Sequence, residues 1–186
     1  VFRFDPTRAG GCGRGGRREP VAALARADAV LVRAPRGSPD ADRVDALVRS
    51  VSPRAKLFHF RHAIACFAPF DAWSTGRGER AEPGGAYLVA AVGNPERFRS
   101  DVASCGVEVR GARFFRDHHP IGAAEWQACA ESARRAGAPC LVTTAKDAVK
   151  MARAVDYPLL VAEQSTEVDE REELDRLVRE RMAGAR

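Results

Sequence analysis

Three short stretches of this chain hold side chains able to handle a proton or an anion. The first is Asp117-His118-His119-Pro120, which contains two of the chain's four histidines. A carboxylate beside an imidazole fixes its tautomer and raises its basicity, a combination suited to proton transfer near neutral pH. Pro120 restricts His119 to extended backbone, so consecutive rings point apart and a single one faces any shared site. The second is "RAGGCGRGGRREP", residues 8–20, where glycines permit close backbone approach and Arg8, Arg14, Arg17 and Arg18 can fork onto phosphate oxygens, with Glu19 able to orient one of them. A flexible basic loop is the competing reading. The third is "CLVTTAKDAVKM", residues 140–151, with Thr144 as a helix cap and Asp147 three positions on. Lys146 falls in that helix's first turn, where a cation opposes the dipole, so an anion or carboxylate is expected beside it. A structural cap with a surface lysine explains the same residues.

These stretches need elements to hold them. Apolar runs of strand length alternate with helical periods along the 186 residues. The expected strands are 1–5, 28–34, 55–62, 86–92, 107–115, 140–144 and 157–164. The expected helices start at Pro20, at Ser38-Pro39 with an apolar face of Ala41, Val44, Leu47, Val48 and Val51, and at Asn94-Pro95, which ends before Gly106. Others span about 122–137 with Trp126, Cys129, Ala130 and Ala133 on one face, 145–154, and a last one with Leu174, Leu177, Val178 and Met182 on one face. Alternation of this kind predicts an α/β fold, a mostly parallel sheet flanked by helices. Residues 67–85, rich in Gly and Pro, read as a linker. In such sheets, sites form at the carboxyl ends of strands, where all three stretches fall.

Composition narrows the class. The hydrophobic fraction is 45% and the net charge is +5, mostly from arginine, which favours a phosphate-bearing partner. A genome rich in G and C would give the same bias. The five cysteines form no C-x-x-C pair, which reads as a reduced cytosolic protein without a zinc site. No apolar run approaches a membrane span. No nucleic-acid reader motif is present, so nucleic acid is not an expected partner. The chain starts at Val1 inside an expected strand, so more sequence is expected upstream.

In chain order, "GRREP", "GNPERF" at 93–98, "FFRDHHP" and "TTAKDAVKM" resemble the tetraacyldisaccharide 4'-kinases (lipid A 4'-kinases) of Gram-negative bacteria. The resemblance implies transfer of the ATP γ-phosphate, with Mg2+, to the 4' hydroxyl of a lipid disaccharide 1-phosphate. It implies a cytoplasmic protein held peripherally at the inner membrane. It also implies two α/β/α domains joined by a hinge. The P-loop and the Asp-Asp-Gly segment of the first domain are absent here, so the chain corresponds to the family's second half. Residues 1–60 are then the end of the nucleotide domain, 61–85 the hinge and 86–186 the C-terminal domain. Carried over by position, Asp117 and His118 become catalytic, the histidine supporting an aspartate of the first domain as base. Arg18, Glu19 and Pro20 match the family's Arg-Glu-Pro segment near the lipid phosphate; with Arg14, Arg17, His119 and Lys146, Arg18 and Glu19 are the expected substrate-binding residues. The ATP and Mg2+ residues are mostly missing.

The chain departs from the family at Ala145, where Glu is usual, and at Ile121, where an aromatic is usual; its loop before "REP" is short and glycine-rich. Alanine at 145 is expected to leave Lys146 or a nearby arginine without a carboxylate partner. Two other readings compete: a metal-dependent phosphoesterase using Asp-His-His with Asp40 and Asp42, and a non-catalytic remnant that binds an anionic lipid.

Overall fold

The computed structural model describes residues 20–34, 36–151 and 155–184, which form two compact units. One comprises the described residues of 63–165, and the other the described residues of 20–62 with those of 166–184. Strands β2 (Lys56–Pro69) and β6 (Leu159–Val168) each run from one unit into the other.

The 63–165 unit is a mostly parallel sheet covered on both faces. Its strands lie in the order β2-β6-β5-β3-β4, with β3 at Gly85–Ala90, β4 at Glu108–Phe114 and β5 at Leu141–Thr144. The pairs β3/β4, β3/β5 and β5/β6 are parallel. Contacts between β2 and β6 step backwards, from Arg61–Glu167 through His62–Thr166 to Cys66–Glu163, so that pair is antiparallel. The two-residue period of β3 sorts its side chains cleanly. Ala86, Leu88 and Ala90 join Phe98, Val102 and Val142 on the face of α3 (Pro95–Ser104). Val89 joins Trp126, Cys129, Ala130, Ala133 and Leu141 on the face of α4 (Ala123–Arg135). The apolar stripe expected for α4 is the one buried. Burial pushes the Cys129 and Cys140 thiols up to about 11, so neither is a thiolate near neutral pH.

In the other unit β1 (Ala29–Val32) pairs parallel with β2, followed in the order by β6. Helix α1 (Pro39–Val51) starts where expected, with Ser38 Oγ accepting from Ala41 N at 3.2 Å. Its Val48 packs with Leu24, Val30 and Val32.

Several expectations are corrected. The expected strand at 1–5 lies outside the described residues. The Pro20 segment is a 3₁₀ helix, Val21–Arg26. Residues 61–85 are not one loop: β2 continues to Pro69 and α2 spans Phe70–Ser74, because Phe67, Ala68 and Ala72 are core residues. The last helix, α6 (Arg171–Ala183), groups with the N-terminal residues rather than with 86–165. Its expected apolar face is only partly covered, since Leu174 and Leu177 are half-buried while Val178 and Met182 are 47% and 70% exposed. Ion pairs anchor it instead, Glu173 to Lys56 at 2.9 Å and Arg181 to Asp28 at 2.7 Å.

Close packing makes one glycine of β4 necessary. A Cβ on Gly111 would lie 2.6 Å from Cε2 of Tyr87 on β3. Gly111→Ala is expected to lower the unfolding free energy by about 1–3 kcal/mol, the usual range for overpacking. Urea melts of the variant check this, and a midpoint equal to the parent's would refute it.

Candidate functional site

Three loops meet at the carboxyl ends of the adjacent strands β5, β3 and β4, and each contributes one of the sequence motifs. After β5, the chain turns into α5 (Ala145–Ala148). Thr144 Oγ1 accepts from Asp147 N at 3.2 Å, the expected cap. The Asp147 side chain does more than cap. It is 3% exposed, and its Oδ2 accepts from Thr144 Oγ1 and from Ala91 N, both at 2.9 Å. Oδ1 faces Lys150 Nζ at 3.8 Å. The helix was expected to reach 154 and stops at Ala148. It buries only Asp147 and Ala148, so no apolar stripe supports further turns.

Lys146 lies between Asp147 and the exit of β3. Its Nζ donates to Ala91 O at 2.8 Å and to Asp117 Oδ1 at 2.7 Å. Both main-chain groups of Ala91 are therefore satisfied by neighbouring α5 side chains. The carboxylate expected beside Lys146 is Asp117, 29 positions away, so alanine at 145 does not leave this lysine unpaired. Lys146 beside Asp117 is the main reason the aspartate's carboxyl sits below the usual carboxylate range; His118 adds to it.

The β3–α3 loop holds "GNPERF". Asn94 Oδ1 accepts from Arg97 N at 3.1 Å and starts α3. Gly93 has a steric role: a Cβ there would stand 3.3 Å from Asp117 Oδ2. The motif thus leaves room for the carboxylate that Lys146 holds.

The β4–α4 loop separates its two histidines. His119 stacks on Phe115 at 5.1 Å with an interplanar angle of 5°, and its Nε2 lies 3.0 Å from both carboxyl oxygens of Glu125. Glu125 Oε2 also accepts from Gly122 N at 2.9 Å. That main-chain donor, then His119, lowers the Glu125 carboxyl's pKa. His119 is thus tied into the entry of α4. His118 is not: its side chain is 80% exposed, with Nε2 3.6 Å from Asp117 Oδ2, and its N–H donates to Asp117 Oδ1 at 3.0 Å. Its φ is 65°, the left-handed region.

The structure therefore brings Asp117, His118 and Lys146 together and turns His119 aside. Arg14, Arg17, Arg18 and Glu19, expected to bind substrate, lie outside the described residues, as does Arg8. Sequence reasoning missed Gly93 and Ala91, and it took Asp147 for a cap alone. The signal for Gly93 was its place in "GNPERF". Ala91, read only as part of an apolar strand, offered none.

Comparisons with known proteins give the family. The family model for tetraacyldisaccharide-1-P 4'-kinase matches residues 13–183. The chain belongs to this family. The tetraacyldisaccharide 4'-kinase of Methylobacterium radiotolerans is 42% identical over 90 residues, covering 48% of this chain and 27% of that protein. The corresponding protein of Anaeromyxobacter dehalogenans is 34% identical over 140 residues, covering 74% of this chain and 37% of its own length. This chain thus matches well under half the length of these 4'-kinases. A crystal structure of LpxK from Aquifex aeolicus in complex with ATP shares the fold, with a TM-score of 0.53 and 17% identity. It covers 96% of this chain and 48% of that one. The family is one of kinases, and the α/β architecture is shared with this solved structure.

The lowered pKa of Asp117 fixes a sign. A carboxylate favoured in the folded state contributes its full stabilisation above the ordinary value of about 3.9 and loses it as pH falls through the lowered folded value. Lys146→Met is expected to raise the Asp117 titration, followed by carbon NMR of its carboxyl, toward the ordinary carboxylate range. An unchanged titration would show that the 2.7 Å pair does not persist in solution.

Proposed function

We propose that this chain forms the hydroxyl-activating half of an ATP-dependent kinase. The enzyme would phosphorylate the 4' hydroxyl of tetraacyldisaccharide 1-phosphate, in lipid A biosynthesis, on the cytoplasmic face of the inner membrane. The observation that carries this reading is His118, an exposed imidazole held at the carboxyl end of a parallel strand beside an ion-paired aspartate. Phosphoryl transfer is governed by positioning and charge more than by covalent chemistry. On this reading the sugar hydroxyl gives up its proton as it attacks. His118 supports the base that receives that proton, an aspartate of the first domain by the family resemblance. Lys146 and Gly93 keep the adjoining Asp117 in place. Bringing His118 to the substrate by closure about a hinge would assemble the site only when substrate is bound.

The residues present do not fit the nucleotide. The 186 residues contain no G-x-x-x-x-G-K-[ST] run, and no step at the ATP phosphates is assigned to them. Nor do the described residues hold a group of three or more His, Cys, Asp or Glu able to take a metal ion. Asp40 and Asp42, the candidate phosphoesterase ligands, stand in the first turn of α1 behind the Ser38 cap. Peripheral membrane contact is part of the proposal; no described helix is long and apolar enough to cross a membrane.

The test is phosphate transfer from ATP to tetraacyldisaccharide 1-phosphate by this chain joined to a P-loop-bearing first domain. His118→Ala is expected to lower kcat by about a hundredfold or more, the usual contribution of a proton-transfer group. The 186-residue chain alone is expected to show no turnover. Undiminished turnover by His118→Ala, or turnover by the chain alone, would overturn the assignment. Lipid binding without turnover in the joined protein would favour the non-catalytic remnant.

A further inference from the structure

We propose that Lys146 and Asp117 are positioning residues that act through His118, rather than residues that touch the substrate. The proposal rests on the kinase reading for its kinetic consequences only; the structural relation it describes is independent of that reading.

The accounting of donors and acceptors leads there. An ammonium group has three N–H donors. Lys146 directs two of them inward, one to Ala91 O and one to Asp117 Oδ1. Its charge is met at 2.7 Å by a carboxylate, which makes it a poor free partner for phosphate. Asp117 is similarly engaged. Oδ1 accepts from Lys146 and from the His118 N–H, while Oδ2 faces Gly93 and lies 3.6 Å from His118 Nε2. Each oxygen thus faces neighbouring protein groups.

What this arrangement secures is a backbone conformation. Among the described residues, His118 is the sole non-glycine residue with positive φ. A left-handed non-glycine residue costs on the order of 1 kcal/mol or more and persists where its surroundings fix it. Two contacts hold it here: the turn bond from His119 N to Arg116 O at 2.9 Å, and the hydrogen bond from His118 N to Asp117 Oδ1, the one that depends on a side chain. The carboxylate is in turn held by Lys146, and Lys146 by Ala91 O. The Asp147 bond to Ala91 N ties that end of β3 to the turn carrying Lys146. The line of support runs from the end of β3 through the first turn of α5 to the left-handed turn of the β4–α4 loop. Its terminus is the His118 imidazole, exposed and 3.6 Å from Asp117 Oδ2.

Two arms test this. In the 186-residue chain, the Cα and Hα chemical shifts of His118 report the sign of its φ. Lys146→Met and Asp117→Ala are expected to move both shifts to extended values while core amides stay unchanged. Asp117→Asn keeps an acceptor oxygen and is expected to move them less. His118 shifts that stay at left-handed values in Lys146→Met would overturn the proposal.

The second arm is kinetic, in the joined protein. Lys146→Met and Asp117→Ala are each expected to lower kcat about tenfold or more with KM for the lipid within about twofold, the pattern of a lost transition-state arrangement. The double variant is expected to fall no more than about threefold below the worse single, because residues acting through one another are non-additive. Multiplying losses, or a raised KM at unchanged kcat, would place Lys146 on the substrate phosphate and overturn the proposal. If the unsubstituted joined protein has no kinase activity, the kinase reading falls, and the His118 shifts alone decide the present one.

Discussion

A single ammonium group holds the candidate site together. Three loops leave adjacent parallel strands, and nothing in a parallel sheet obliges such loops to associate beyond its edge. Lys146 reaches from one of them to the last carbonyl region of the second and to a carboxylate on the third. Asp147, its neighbour, takes the matching N–H of Ala91 from a buried position. The charges are opposed and the donors satisfied, so the cluster tolerates being half in water. The first-turn lysine is unfavourable toward its own helix dipole, and the Asp117 carboxylate offsets that. Removal of either partner leaves the other's charge without its local counterpart.

Around this cluster the sheet supplies rigidity. Its β3 strand is buried on both faces, with small residues, Ala86 and Ala90, towards α3 and Val89 towards the Trp126 side of α4. The close approach of β3 and β4 shows in the Gly111–Tyr87 contact. The strand ends are therefore fixed in height and direction, and the loops beyond them inherit that precision. The same economy explains the histidine pair. His119 secures the start of α4 through Phe115 and Glu125, which leaves His118 alone at the rim. Adjacent residues of one type have acquired separate duties because one backbone turn points them apart.

Local chemistry made much of this legible in the sequence. The α/β alternation, the caps at Ser38, Asn94 and Thr144, and the buried stripe of α4 all follow from spacing and side-chain type. The misread parts depend on distant partners. Phe67 and Ala72 sit among Gly and Pro residues and read as linker, yet they are core because other elements cover them. Lys146 and Asp117 share no period that could couple them. Only the misplaced positive charge hinted at a carboxylate, and its identity needed the fold. The left-handed backbone at His118 has no signature in a histidine side chain, which is why local chemistry left the pair undivided and only the family resemblance favoured His118. The reach of β2 and β6 was hidden because each strand changes surroundings midway.

Those two strands also bear on how the chain reaches this state. Residues 63–165 are continuous, whereas their companion unit is made of two segments separated by that whole stretch. Closing a loop costs entropy that grows with its length. The first and last residues of the continuous stretch are brought near each other by the antiparallel β2/β6 pair, marked by the Cys66–Glu163 contact. Once that stretch has folded, the segments on either side emerge side by side, and the companion unit closes across a short gap instead of a long one. Sheet assembly at residues 63–165 is thus the natural first event, and closure of the two-segment companion unit, α6 included, the natural later one.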